Sequence, residues 1–204
     1  MNLKDTYNKI AEDWHKDHQE DDWWQEGTDE YISLIGKGGL VLDVGCASGI
    51  KSKYLAAGGL KVVGIDIADK LIDIARKSLP EAKFYVMDMA DVENLADEFN
   101  GIFAQASLLH IPKKDIPDIL KKLNSKLKPG GYFYVAVKQK EGVTEEIVKE
   151  KDYGYEYERF FSYFTLDEIE NYFDELKMKI IRESVSPTRN NQWIQVIARK
   201  DVDV

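Results

Sequence analysis

The chain is poor in residues that cross-link or ligate. It has one cysteine, Cys46, and three histidines among 204 residues. A single cysteine excludes an internal disulfide and fits a reducing, cytoplasmic compartment. His15 and His18 lie three apart beside acidic residues, but no third histidine stands near them, so no metal is expected. No apolar run approaches the roughly 18 residues of a membrane-spanning helix, and no basic-then-apolar stretch marks a signal peptide. Neither a membrane nor a secretory route is therefore expected. Positive charge is also short, with 28 Lys and Arg against 37 Asp and Glu and a net charge of −9. Phosphate repels such a surface, which argues against nucleic acid as a partner. What remains is ordinary globular composition, 44% hydrophobic and 32% charged, sufficient for one domain with a sizeable core.

Within that composition one stretch stands out. Leu40 to Val44 is a short apolar run containing Asp43, and Gly45-Cys46-Ala47-Ser48-Gly49 follows as a small-residue loop before an amphipathic segment. This reads as a strand, a tight turn and a helix start. Small residues let backbone approach a ligand, and a helix N-terminus offers free N–H groups. Two more apolar runs end in acids: Val62 to Asp66, and Ala82 to Met87 before Asp88. Three such strands would align carboxylates along one edge of a parallel sheet, the edge at which open α/β sheets bind ligands.

These residues resemble the class I S-adenosylmethionine-dependent methyltransferases, over roughly residues 30–200. Asp43 to Gly49 is similar to that family's glycine motif, and Asp66 falls where its ribose-binding acid falls. Asp88-Met89 is similar to its adenine-contacting pair, and Lys128-Pro129-Gly130-Gly131 to its signature before the fifth strand. Ala47 replaces a central glycine, a change that a turn with negative φ would accommodate. The resemblance implies S-adenosylmethionine as cofactor, S-adenosylhomocysteine as its product, and a small-molecule methyl acceptor. It implies cofactor contacts from Asp43, Gly45, Cys46, Ala47, Gly49, Asp66, Ile67, Asp88, Met89 and Ala106. The implied fold is one domain over 1–204, a doubly wound, Rossmann-like sheet of seven strands. That sheet is mostly parallel with an antiparallel C-terminal strand, and helices cover both faces. Strands alternating with helices from 40 to 137 support a parallel sheet independently.

The flanking segments complete the expectations. Tyr7, Ile10, Ala11 and Trp14 recur at helical spacing in residues 2–18. Tyr7 and Trp14 either pack on the core or, as the resemblance suggests, cover the methyl donor within an N-terminal helical cap over 1–36. A short helix is expected over 31–35, and another over 91–97. Residues 139–164 are charged, then aromatic, without clear period; they read as a lid over the substrate or as a surface excursion. Thr165-Leu166-Asp167-Glu168 spells a capping box. Strands over 179–184 and 192–199 close the chain. His110 follows the fourth strand, expected over 101–106, and is the candidate general base, with helix capping or packing as its alternative. Trp23, Lys138, Tyr157, Arg159 and Arg189 are candidates for holding substrate. A dinucleotide oxidoreductase shares the strand-end acid but needs G-x-G-x-x-G, which Gly45 to Gly49 does not match. A non-catalytic S-adenosylmethionine-binding module is the other alternative.

Overall fold

The computed structural model of the protein describes residues 2–187 and 192–202. The apolar runs form five parallel strands: β1 (Leu40–Val44), β2 (Lys61–Asp66), β3 (Lys83–Val86), β4 (Phe99–Gln105) and β5 (Leu127–Gln139). Two further strands of the main sheet follow late in the chain, β8 (Met178–Pro187) and β9 (Gln192–Lys200). The sheet order is β3-β2-β1-β4-β5-β9-β8. β9 runs antiparallel to both β5 and β8, so the antiparallel strand lies one position in from the edge and β8 forms the edge. The seven strands and their mostly parallel sense are those expected.

Alternation along each strand divides the core. Leu42, Ile102, Val135 and Val196 point to one face, against Ile116, Leu120 and Leu123 of α5 (Ile116–Ser125) and Phe173 of α6 (Leu166–Glu175). Val41, Val62, Phe103 and Tyr134 point to the other, against Tyr31 of α2 (Gln25–Ile35) and Leu55 of α3 (Ile50–Ala57). Helices thus cover both faces, as a doubly wound sheet requires. The helix expected over 31–35 is longer than read and belongs to this packing layer. α1 (Leu3–Asp17) contributes Leu3, Tyr7 and Trp14 to the site, with Ala11 packed on Ala68 and on Leu71 of α4 (Asp69–Ser78).

Three local readings change. The helix expected over 91–97 is a 3-10 stretch, Met89–Asn94, capped by Asp88. β5 begins five residues before Tyr132 because its pairing with β4 shifts register between Phe99 and Gly101; the irregularity absorbs Pro129 and Gly130 without ending the strand. Residues 139–164 are not irregular. They contain β6 (Glu145–Glu150) and β7 (Tyr157–Ser162), an antiparallel pair. β6 alternates in burial but not in polarity, being mostly Glu and Lys on both sides, so hydrophobic period did not reveal it. The capping box is present, with Thr165 Oγ1 accepting from Glu168 N at 3.2 Å and Glu168 Oε2 accepting from Thr165 N at 2.8 Å.

Candidate active site

The sheet order reverses between β1 and β4, and a cavity of about 430 Å³ opens there at the carboxyl edge, the usual ligand position in such sheets. The loop from Gly45 to Gly49 forms one wall. Gly45 (φ 71°), Ala47 (φ 48°) and Gly49 (φ 79°) are all left-handed. A Cβ on Gly45 would collide with Cβ of Ser107, so glycine is required both by conformation and by space. The negative φ expected for Ala47 is therefore incorrect: its methyl group is carried in a conformation that L-residues adopt at a cost. The loop is tied to β2, since Gly45 N and Cys46 N donate to the Ile65 carbonyl at 2.8 and 3.0 Å.

The three acids differ in environment. Asp43 is buried, and Oδ2 accepts from Ser52 Oγ at 2.6 Å. Its partner is thus the α3 hydroxyl rather than the loop amides, which pins α3 to β1. Burial pushes Asp43 up to about 7; Ser52 opposes this, the charge of Asp66 adds to it, and Lys51 opposes it. Asp66 is half-buried, with Oδ2 accepting from Ala47 N at 3.0 Å and Oδ1 from Ala68 N at 2.8 Å. Burial raises its pKa while those amides lower it. Asp88 is exposed at the rim, and its Oδ1 caps the 3-10 stretch through Ala90 N at 2.9 Å.

The cavity gathers most of the residues singled out from the sequence. Asp43, Gly45, Cys46, Ala47, Asp66 and Ile67 line it, as do Asp88, Met89, Ala106, Tyr7 and Trp14. So do Trp23, His110, Lys138 and Arg159. Gly49 does not: a Cβ there would stand 3.0 Å from that of Ala75, and its role is close packing on α4. Tyr157 is buried away from the cavity, stacked on Tyr153 with its hydroxyl donating to Asp152 at 3.2 Å. Arg189 lies outside the described residues.

His110 reaches the cavity but is not arranged as a free base. Its Nδ1 lies 2.7 Å from the Phe160 carbonyl oxygen, an acceptor only, so Nδ1 carries the proton. Nε2 is then the acceptor for the Tyr7 hydroxyl at 2.7 Å. Burial lowers His110 to about 3; the Phe160 carbonyl opposes this, and the cations Arg159 and Lys138 reinforce it. In this arrangement the imidazole holds Tyr7 in place, with its accepting nitrogen engaged by that hydroxyl. Tyr7 also accepts from Arg159 Nη1 at 3.3 Å, and Arg159 donates to both oxygens of Glu150 at 2.6 Å.

Several lining residues were not identified from sequence. Gln105 and Ser107 flank Ala106, both buried, and Gln105 Oε1 and Ser107 Oγ have no hydrogen-bond partner among the described residues. Their polarity at the end of an otherwise apolar strand was the available signal. Lys51 lies in the first turn of α3, with Nζ 4.0 Å from the Trp24 ring. Phe161 and Trp193 arrive from β7 and β9, and nothing local marks them. Cys46, the chain's lone thiol, is buried, and burial raises its pKa, the environment of a packing residue rather than a nucleophile. Among the described residues no cluster of three or more His, Cys, Asp or Glu could hold a metal ion, and no helix is long and apolar enough to cross a membrane.

Comparison with known proteins agrees with this geometry. Residues 41–131 match the family model described as a methyltransferase domain, and the resemblance to the class I methyltransferases holds. A magnesium-protoporphyrin O-methyltransferase of Rhodobacter capsulatus is 36% identical over 103 residues, 48% of this chain and 45% of the relative. A ubiquinone biosynthesis O-methyltransferase of Xanthomonas axonopodis pv. citri is 36% identical over 114 residues, 52% of this chain and 47% of the relative. The chain thus spans about half the length of the curated relatives it matches. Among solved structures, a 1,6-didemethyltoxoflavin-N1-methyltransferase of Burkholderia thailandensis superposes with a TM-score of 0.76 at 17% identity, covering 98% of this chain and 87% of that one. A methyltransferase of Methanosarcina mazei superposes at 0.73 and 22% identity, covering 84% and 96%. At these identities the superpositions establish a shared fold, the Rossmann-like methyltransferase fold.

Proposed function

We propose that this chain transfers a methyl group from S-adenosylmethionine to a nitrogen or oxygen atom of a small molecule. The observation that carries the reading is the composition of the cavity at the β1–β4 switch point. It joins a left-handed glycine turn, a strand-end carboxylate on β2 and a ceiling of aromatics from α1. A cation with an amino-acid end and a ribose fits that lining. Asp66 would take the ribose hydroxyls on lone pairs left over from its two amide bonds. Met89 and the rim carboxylate of Asp88 would take the adenine. Asp43, the loop backbone and the unpartnered Gln105 Oε1 and Ser107 Oγ would take the amino-acid end. When bound, this cofactor supplies a methyl group on a positively charged sulfur, already activated for transfer. The remaining work is alignment and exclusion of water, and orientation of this kind supplies up to ~7–11 kcal/mol. Tyr7 and Trp14 present aromatic surface suited to a cationic centre.

The relatives that are named for small-molecule substrates support a small acceptor rather than a nucleic acid, as does the net charge of −9. One unpaired, buried cysteine supports a cytoplasmic setting. A cavity of about 430 Å³, within the usual range for ligand sites, favours an enzyme over a binding module whose acceptor side is filled. Titration calorimetry with S-adenosylmethionine, S-adenosylhomocysteine and NAD tests the proposal. The first two are expected to bind and NAD to give no heat; NAD binding with silence from the other two would overturn it. Transfer of labelled methyl to a panel of amines, phenols and carboxylates then identifies the acceptor.

A further inference from the structure

The side of the cavity away from the glycine loop carries a positive charge that the protein itself leaves uncompensated. Two cations line this side, Arg159 and Lys138. Arg159 is matched by Glu150, which accepts two hydrogen bonds from the guanidinium at 2.6 Å, both side chains being mostly buried. Lys138 has no such partner among the described residues. Its Nζ stands 4.6 Å from the centroid of the Phe161 ring and 5.4 Å from that of Trp193. Lys138, next to last in β5, lies directly opposite Trp193 on β9, and Trp23 stacks on Trp193 with centroids 4.0 Å apart and planes at 22°. The ammonium is therefore set against two aromatic rings in the cavity lining, with Trp23 stacked on the second of them.

Ring faces attract a cation but do not replace a counter-ion. An ammonium withdrawn from water without one is costly. The cost is visible here: burial, then Arg159, lowers Lys138 to about 8, with Glu150 in opposition. The group remains mostly charged near neutrality. A ligand that brings one negative charge to this position recovers the missing ion pair. A multiply charged phosphate would find one available ammonium where it needs several donors, because Glu150 already occupies Arg159. A proton-bearing nucleophile would find only a weak base in His110, whose accepting nitrogen Nε2 is already engaged by the Tyr7 hydroxyl and whose pKa burial lowers to about 3.

We propose that this half of the cavity selects an aromatic monocarboxylate, with Lys138 Nζ pairing the carboxylate and Trp23, Phe161 and Trp193 walling the ring. As an acceptor class this rests on the methyl-transfer reading, but the anion site itself is measurable apart from it. The test uses a charge-matched pair of probes, 2-naphthoate and 2-naphthamide, titrated into the full chain with and without S-adenosylhomocysteine. The naphthoate is expected to bind about 10- to 100-fold more tightly than the amide, the worth of one charge-assisted hydrogen bond. Lys138→Met should bring the naphthoate down to the level of the amide, and Lys138→Arg should restore the preference at least in part. Equal affinities in the wild type, no naphthoate binding, or a preference that survives Lys138→Met would overturn the proposal. The heat of S-adenosylhomocysteine binding, read in the same titrations, reports separately on the methyl-transfer reading. A naphthoate preference without that heat would keep the anion site and discard the donor.

Discussion

The Tyr7 hydroxyl donates to Nε2 of His110 across 2.7 Å, joining the first helix to the turn after β4. The bond defines the imidazole tautomer, because the other ring nitrogen faces the Phe160 carbonyl. It also continues through Arg159 to Glu150. α1, the β4 exit and the β6–β7 pair are thereby one polar assembly around the cavity.

A first prediction concerns the titration of His110. Its folded pKa, about 3, lies below the unfolded value of ~6.5. The unfolded chain therefore binds a proton below ~6.5 that the native state refuses. Stability contributed by the neutral ring is complete above ~6.5 and declines by up to ~1.4 kcal/mol per pH unit toward pH 3. His110→Gln, which keeps a neutral polar side chain, should flatten that part of the stability curve measured by urea unfolding. Nitrogen-15 shifts of the ring should show the Nδ1–H tautomer unchanged from pH 8 to 5. A titration near 6.5 would return His110 to the role of base.

Asp43 gives a dependence in the neutral range. Its folded pKa of about 7 lies above the ~3.9 of an unfolded carboxyl group, so the native state retains a proton that the unfolded chain releases. Native stability should fall as pH rises from ~4 to ~7 and then level off. Asp43→Asn should remove this slope and raise the melting temperature at pH 8. Ionised Asp43 favours a cationic ligand, so S-adenosylmethionine affinity should rise with pH up to about 7 in the wild type and stay flat in Asp43→Asn. Calorimetry across pH 5–8 separates these outcomes.

Asp66→Ala should weaken S-adenosylhomocysteine binding by roughly 1.5–3 kcal/mol for each charge-assisted hydrogen bond it removes. The same variant frees the Ala47 and Ala68 amides, so a modest drop in melting temperature should accompany it. Unchanged affinity would rule out the ribose role.

The glycine loop supports an opposed pair of substitutions. Ala47→Gly, at φ 48°, should leave stability unchanged or raise it by up to ~1 kcal/mol, against the usual loss for an Ala→Gly change. Gly45→Ala meets both a left-handed φ and Ser107, and should abolish cofactor binding before it abolishes folding. Thermal melts and calorimetry on both variants read the contrast.

The β6–β7 pair is anchored to α1 rather than hinged alone. Thr6 Oγ1 donates to the Glu158 carbonyl at 3.1 Å, Lys9 Nζ to that of Glu156 at 2.8 Å, and Tyr155 to Asp13 at 2.8 Å. Any closure of residues 139–164 over substrate should therefore carry α1 with it. Hydrogen exchange should show the two segments gaining protection together when S-adenosylhomocysteine and an acceptor bind. Glu150→Gln, which breaks a mostly buried ion pair at a cost of ~3–5 kcal/mol, should make both segments protease-sensitive. Protection of one segment without the other would contradict the coupling.

The elements legible in the sequence are those that interactions within a few residues decide. Leu40 to Gly49 declared strand, turn and helix start through an apolar run and small side chains, and the carboxylates closing β1, β2 and β3 marked the ligand edge. Thr165 and Glu168 declared a helix start through hydrogen bonds spanning three residues. The parallel sense followed from the alternation of these elements, because crossovers of one hand leave few other arrangements, the seven-stranded layout was what the resemblance implied, and the order of the strands came from the structure. What only the tertiary structure decided is which side chains meet. Tyr7 meets His110 across a separation of 103 residues, Lys138 meets Trp193 only because β9 inserts beside β5, and Arg159 is claimed by Glu150 only because residues 139–164 fold into a strand pair. The left-handed turn at Ala47 was likewise set by its ties to β2. Local periodicity reports how a residue is buried in its own element; the partner that sets its charge, tautomer and role comes from another element, and that pairing exists only once the sheet is assembled.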